Sequence, residues 1–311
     1  MVTVAVAGGT GGVGRTVVEE LVRQGKHKVV ILSRQSKPLP RLESVPVFAT
    51  DYDDIASTAA LLKKHDIAVI ISALSLFTEE VGEAQIKLIQ AAINSNTTKR
   101  FMPSEFAFNY LRPGLLDFHA AAQMRIDACN LLRNSHVEFT RFIFGWLLDT
   151  WNPKRAKTHM PQMTWVLDFE SRQARLPGDG KAPLTLLHSL DIAKYVAALI
   201  DEEKPWPEIS AFAGSTMSFS EMVEIAERIQ GRKWEVSYEP VENLEKKDIF
   251  VFKQPEDSYD FGDGLREITA EFGLMVVKGI MDANVEGLRN EDFPDIKPIT
   301  VETWIQDIWG K

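Results

Sequence analysis

Hydrophobic and polar positions follow two alternating patterns in the first half of the chain. Short runs rich in β-branched residues alternate with segments whose apolar residues recur at helical spacing. In the first such segment Val17, Val18 and Leu21 share one side, and Gly25 ends it. This alternation is typical of a parallel sheet covered by helices. The predicted strands are 3–7, 28–32, 45–49, 67–73, 100–102 and 138–142, and the later helices span 81–93 and 118–132.

The second half has a different pattern. Residues 165–170 predict a strand, Asp191 a capped helix that runs to residue 201, and Ser218-Phe-Ser-Glu221 a capping box that opens a helix through Gln230. We therefore predict an α/β fold with a doubly wound parallel sheet in residues 1–150. Residues 151–311 are predicted to form mainly a smaller α/β lobe, with some segments returning to the first domain.

A glycine motif lies between the first strand and the first helix. Gly8, Gly11 and Gly14 permit a sharp turn, a close approach of a ligand to the backbone, and close packing of helix on strand. The helix that begins near Gly12 directs its unpaired N–H groups at an anion. The sequence therefore predicts a site for the diphosphate of a dinucleotide, whereas the alternative is an ordinary tight turn.

The residues after the second strand indicate which dinucleotide binds. NAD sites usually carry Asp or Glu there, but this chain has Ser33 and Arg34, followed by Lys37. A guanidinium and a hydroxyl suit the additional 2′-phosphate of NADP(H), so we predict NADP(H) as the cofactor. The alternative is a solvated basic loop.

Composition excludes several other classes of protein. With a net charge of −9 over 311 residues, a nucleic-acid-binding surface is not expected. The single cysteine, Cys129, excludes an intrachain disulfide and a cysteine-based zinc site, and the histidines show no metal-ligand spacing. The chain opens on a strand rather than a signal peptide, and its longest apolar run, 67–77, is too short for a membrane helix. We expect a cytoplasmic protein with no metal, no nucleic acid and no membrane partner.

Several motifs together resemble one known family. The chain resembles the isoflavone reductase-like and NmrA-like branch of the atypical short-chain dehydrogenases, and is similar to its fungal CipA-like members. The motifs that carry the resemblance are Gly8 to Gly14, Ser33-Arg34, Gln85, Lys99 to Phe106, Val137 to Thr140, Gly145 to Asp149, Leu176 to Gly180 and Asp191 to Ala193.

The resemblance implies an NADP(H)-binding Rossmann-type domain, a substrate lobe, and reduction of small aromatic or polycyclic metabolites. The predicted cofactor-binding residues are Gly8, Thr10, Gly11, Gly12, Val13, Gly14, Ser33, Arg34, Lys37, Asp51, Tyr52, Ala73, Leu74, Gln85, Pro103, Ser104 and Glu105. The predicted substrate-binding residues are Phe106, Tyr110, Phe144, Trp146, Asp149 and Trp151, although the large aromatics also suit an ordinary core.

The chain departs from the family at the proton-handling residue. The position of the family's usual lysine is occupied by Arg125, and no Tyr-x-x-x-Lys pair exists. A guanidinium keeps its proton, so Arg125 can stabilise an oxyanion but is a poor general acid or base. The other catalytic candidates are Glu105, His119 and Asp127, of which the imidazole suits proton exchange near neutral pH.

Three functions stay open at this point. The first is an NADPH-dependent reductase of a C=C, C=N or C=O bond in an aromatic or alkaloid-like molecule of fungal specialised metabolism. The second, suggested by the missing lysine, is a redox-neutral cyclase that closes a ring on an iminium ion while retaining bound NADP. The third is an NADP-sensing regulator that binds a partner protein. A small-molecule substrate is expected for the enzymes, and a homodimer stays open.

Replacing Arg34 by Ala tests the choice of dinucleotide. The variant should bind NADPH about tenfold to a hundredfold more weakly, because one charge-assisted contact to the 2′-phosphate is lost, while NADH affinity changes little. Titration calorimetry with both nucleotides measures the difference. Equal losses for NADPH and NADH would contradict the assignment.

Overall fold

The computed structural model of the chain describes residues 1–153, 156 and 158–310 and divides into two compact units. The two units are not separated at a single boundary near residue 150, because each unit is built from three separate segments of the chain. Unit 1 comprises Met1–Phe106, Tyr110–Ile143 and Ile192–Ser210, and unit 2 comprises Ala107–Asn109, Phe144–Asp191 and Ala211–Lys311.

Unit 1 contains a parallel six-stranded sheet. Its order is β3-β2-β1-β4-β5-β6, so the direction of strand addition reverses beside β1, and this is where α/β sheets form their ligand crevice. The doubly wound Rossmann-type sheet predicted from the sequence is thereby confirmed. The strands are β1 (Thr3–Ala7), β2 (Lys28–Ser33), β3 (Val47–Ala49), β4 (Ile67–Ser72), β5 (Arg100–Met102) and β6 (Glu138–Phe139).

Helices cover this sheet and bury their apolar sides. Helix α1 (Gly12–Gln24) buries Val17, Val18 and Leu21, and it ends at Gly25, whose φ of +64° is left-handed. A core of aliphatic residues from the strands and from the following helices fills the interior. Those helices are α2 (Ile55–Lys64), α3 (Glu79–Ser95) and α4 (Gln123–Arg133), the last preceded by a 3₁₀ turn at Ala120–Ala122.

The last predicted strand of unit 1 is divided in two. Strand β6 pairs with β5, but β7 (Arg141–Ile143) leaves the sheet, and the Arg141 N–H donates to Glu208 O at 2.8 Å. The Arg141 side chain turns inward instead and meets Glu105. Its Nε and Nη2 atoms each lie 2.8 Å from Glu105 Oε2, and both side chains are almost fully buried. This ion pair joins the segment after β5 to β7.

Unit 2 contains two three-stranded sheets, ordered β14-β10-β9 and β13-β11-β8. The elements that follow β7 along the chain are β8 (Trp146–Leu147), β9 (Leu167–Asp168), β10 (Gln173–Pro177), β11 (Pro183–Leu187), α5 (Ser189–Asp201), β12 (Ile209–Ala211), β13 (Ser215–Ser218), α6 (Phe219–Gln230), β14 (Glu235–Glu239), α7 (Val241–Lys246), α8 (Leu265–Val277) and α9 (Val301–Trp309).

Two local predictions for unit 2 need correction, and one agrees with the structure. Of the predicted strand 165–170, residues 167–168 form a strand and Trp165 forms an isolated bridge. Asp191 is not the N-cap of α5, because the helix begins two residues earlier and the Asp191 carboxylate accepts the Ile299 N–H at 2.7 Å. The capping box between Ser218 and Glu221 is present in full.

No helix in the part of the chain that the structure describes is long and apolar enough to cross a membrane.

Replacing Glu105 by Gln should lower the free energy of unfolding by about 3–5 kcal/mol, because the Arg141 charge is then buried without a counter-ion. The double variant Glu105→Leu with Arg141→Met should recover much of this loss. A surface pair provides a matched control, since Arg23→Met removes an exposed partner of Glu20 and should leave the free energy of unfolding almost unchanged. Urea unfolding measures all three, and a Glu105→Gln variant as stable as the wild type would contradict the structural role.

Candidate functional site

The glycines after β1 bring three chain segments into close contact. A Cβ atom added to Gly14 would lie 2.3 Å from Gly8 O, and one added to Gly8 would lie 2.5 Å from Ala73 O. Gly8 also has a φ of +74°, which favours glycine. No side chain fits where the turn after β1, the start of α1 and the end of β4 meet.

Gly11 lacks a side chain for a different reason. A Cβ atom there would have only Gly8 O nearby, at 3.7 Å, so no packing forbids it. Gly11 is the exposed N-cap of α1 and offers no side chain to cap the helix. The first N–H groups of an α-helix have no partner within the helix, and together with the helix dipole they attract an anion. The open space beside Gly11 therefore fits a diphosphate.

The end of β2 presents exposed cationic side chains. Arg34 is 80% exposed and its Nη1 lies 3.9 Å from Glu80 Oε1, while Lys37 is exposed and Ser33 half-buried. The buried Tyr52 donates its hydroxyl to Leu32 O at 3.2 Å. Burial raises the pKa of Tyr52, so its hydroxyl stays protonated and holds this strand end in place.

Hydrogen bonds fix the segments that follow β4 and β5. Gln85 is buried, and its Oε1 accepts both the Ser72 hydroxyl and the Ser104 N–H at 2.8 Å. The Ser104 hydroxyl donates to Leu74 O at 2.7 Å. These contacts hold two neighbouring strand ends together at the edge where the crevice forms. Of the other predicted cofactor residues, Thr10 and Asp51 are exposed, Gly12, Val13, Ala73 and Leu74 are half-buried, and Pro103 is buried.

Three predicted site residues come together before and on helix α4. Arg125 Cζ lies 4.0 Å from the centroid of the Tyr110 ring, and the His119 ring lies 6.1 Å from the same ring. All three are buried. Burial raises the pKa of Tyr110, an effect that the Arg125 charge partly offsets. The structure thus groups a cation, an imidazole and a phenol, which can stabilise negative charge and transfer a proton.

The two predicted carboxylates have other hydrogen-bond partners, although the charge of Glu105 also contributes to the raised pKa of Tyr110. Both Glu105 oxygens are occupied, one by Arg141 and the other by the Cys129 thiol, whose Sγ lies 2.9 Å from Oε1. Burial raises the pKa of Cys129, so the thiol donates rather than ionises. Asp127 is exposed and accepts the Gln123 amide, and it lies two residues from Arg125, on another side of α4.

The predicted substrate residues of unit 2 are packed inside that unit. The Trp146 ring lies 4.5 Å from Trp165, and the Trp151 indole N–H donates to Trp165 O. Phe144 is completely buried. Asp149 is completely buried too, and it accepts the N–H and hydroxyl of Ser189 at the start of α5. These four residues stabilise unit 2, which agrees with the alternative that large aromatics form ordinary core. In unit 1, Phe106 is half-buried against Phe142 at 5.5 Å.

Sequence reasoning missed two contributors to the site. Leu76 O accepts Arg125 Nη2 at 3.1 Å, and a main-chain contact of this kind leaves no signal in the sequence. Arg141 neutralises Glu105, and its signal was a charged residue within the apolar strand 138–142.

Comparisons with known proteins agree with this description. The model of the NmrA-like family matches residues 2–270. The oxidoreductase swnN of Metarhizium robertsii is 30% identical and covers 99% of this chain and 98% of its own. The oxidoreductase BOA1 of Botryotinia fuckeliana is 31% identical and covers 99% of both chains. Among solved structures, the complex of leucoanthocyanidin reductase from Vitis vinifera with NADPH has a TM-score of 0.76 at 18% identity, with 98% of each chain covered. The family resemblance predicted from the motifs is confirmed.

A pair of glycine variants separates packing from ligand binding. Gly11→Ala should fold with the stability of the wild type but bind NADPH about tenfold or more weakly, because the new methyl group occupies the space beside the helix terminus. Gly14→Ala should lose about 1–3 kcal/mol of stability, because its methyl group collides with Gly8 O. Thermal unfolding and titration calorimetry measure the two effects. Wild-type NADPH affinity in Gly11→Ala would contradict the diphosphate site.

Proposed function

Because the chain belongs to the NmrA-like family, we propose that it is an NADPH-dependent oxidoreductase that reduces an aromatic or alkaloid-like small molecule of fungal specialised metabolism. The observation that carries the proposal is the open space at Gly11, which lies at the N-terminus of α1 and is bounded by glycines that no side chain can replace. The relatives named oxidoreductases support the class of reaction.

The residues present fit an NADP(H) molecule. The N-terminal N–H groups of α1 would hold the diphosphate, and Arg34, Ser33 and Lys37 would hold the 2′-phosphate. The bound cofactor supplies a hydride. Gln85 and Ser104 keep the two neighbouring strand ends in position along the crevice. Similarity to a solved NADPH complex supports this assignment.

Proton transfer is assigned to His119. Its ring lies 6.1 Å from the Tyr110 ring, which Arg125 also contacts, and an imidazole is the commonest general acid–base group in enzymes. A guanidinium is a poor proton donor, and burial raises the pKa of Tyr110, so neither side chain competes for that task. Arg125 acts instead on charge that develops during the reaction.

The alternative functions have less support. The cyclase needed Glu105 or Asp127 to stabilise a cation, but Glu105 is paired with Arg141 and Asp127 is on an exposed side of α4. The NADP-sensing regulator shares the cofactor site but binds a partner protein and has no turnover. The cytoplasmic location, the homodimer and the CipA-like branch stay predictions.

An activity assay tests the proposal: purified protein loaded with NADPH is mixed with a panel of aromatic ketones, enones and cyclic imines. We expect one class to cause loss of the near-ultraviolet absorbance of NADPH, with a product two hydrogen atoms heavier by mass spectrometry. His119→Asn should keep NADPH affinity within about twofold and slow reduction by roughly a hundredfold.

His136→Asn, which changes an exposed histidine of the same unit, is the matched control and should be fully active. Product formation without NADPH oxidation would instead indicate the cyclase. Nucleotide binding with a co-purifying protein and no turnover would indicate the regulator. Failure to bind NADPH would overturn the proposal.

A further inference from the structure

We propose that Arg125 is the receptor for negative charge on the substrate, so that the substrate is a ketone or a carbonyl-conjugated alkene and a cationic iminium is rejected. This inference rests on the proposed function, which leaves the reduced bond open. It follows from the electrostatic surroundings of the buried Arg125 side chain.

The Arg125 guanidinium is buried with neutral partners. The residue is 6% exposed; Nη1 lies 3.0 Å from Ala121 O and Nη2 3.1 Å from Leu76 O. Both partners are main-chain carbonyls, and the Tyr110 ring contributes a quadrupole but no charge. Within the described part of the chain, Arg125 Nε is buried without a hydrogen-bond partner. The Nε–H of Arg125 is therefore a buried donor that can bind a ligand.

A second buried guanidinium in the same unit provides a comparison. Arg141 is buried as deeply, but two of its nitrogens lie 2.8 Å from the Glu105 carboxylate. Burial of a cation without a counter-ion is costly, which is why buried charges are normally paired. No ion pair joins Arg125 to a carboxylate among the described residues. The missing anion is therefore a ligand.

The position of Arg125 connects this charge to the reaction. Leu76 follows β4, whose carboxyl end borders the crevice at the reversal of strand order, and Arg125 holds its carbonyl. Reduction breaks the π bond of a C=O or conjugated C=C group, forms one C–H bond with the electron pair given up by the reduced nicotinamide, and leaves an electron pair on oxygen. A fixed guanidinium stabilises that oxyanion, and a proton from His119 or water completes the product. The same charge repels an iminium ion.

Titration calorimetry with three matched probes tests the inference on the NADP⁺-loaded protein. The probes are cinnamate, cinnamamide and cinnamylamine, which share a flat aromatic frame and carry a negative, no and a positive charge. The wild type should bind cinnamate about tenfold or more tightly than cinnamamide and should not bind cinnamylamine. Arg125→Gln should weaken cinnamate binding about tenfold to a hundredfold and leave cinnamamide within about twofold.

Arg125→Lys keeps the positive charge but loses the planar arrangement of N–H donors, and it should retain part of the preference for cinnamate. Arg133→Gln alters a cation at the end of the same helix and should bind all three probes as the wild type does. If the Arg125→Gln variant does not fold, the affinities of the wild type for the three probes still test the inference. Failure of cinnamate to bind, equal affinity for the three probes, or a preference for cinnamylamine would overturn the inference. NADP⁺ binding, measured first in each variant, distinguishes these results from failure of the proposed function.

Discussion

The close approach of Gly14 to Gly8 is the constraint on which the site depends. With no room for a Cβ atom between them, the first turn of α1 packs directly on the turn after β1, and the end of β4 closes the other side. This contact directs the N–H groups at the start of the helix toward the edge of the sheet where strand order reverses. Gln85 and Ser104 then hold the neighbouring strand ends at the same edge. A phosphate-binding helix terminus and an aligned crevice are two results of one packing requirement.

Two buried guanidinium groups show how the fold separates stability from chemistry. Arg141 has its counter-ion within the fold, and the pair joins the segment after β5 to β7. Arg125 contacts two main-chain carbonyls and an aromatic ring, and its Nε–H has no hydrogen-bond partner in the described part of the chain. The positive charge of Arg141 is neutralised within the fold, whereas that of Arg125 is available to a ligand. Since an unbalanced buried cation costs stability, its retention beside His119 and Tyr110 is consistent with a site that stabilises developing negative charge.

The aromatic residues of unit 2 pack against one another, and their predicted role in substrate binding stays a prediction. The Trp146 ring is tilted against Trp165, and the Trp151 ring is stacked on Trp165 at 6.5 Å. Asp149 uses its carboxylate at the start of α5. The tryptophans and Asp149 thus contact other residues of unit 2. The cluster of Tyr110, His119 and Arg125 belongs to unit 1.

The sequence by itself determined most strands and helices of residues 1–133, the capping box at Ser218 and the glycine motif after β1, because each depends on residues that are near one another along the chain. It also determined that arginine replaces lysine at position 125. Only the tertiary structure decided that Glu105 pairs with Arg141, that Asp149 and Asp191 bind main-chain groups far along the chain, and that Leu76 O meets Arg125. Periodicity encodes which side of an element is buried, whereas the partner of a buried charge depends on which distant atom packing brings within about 3 Å.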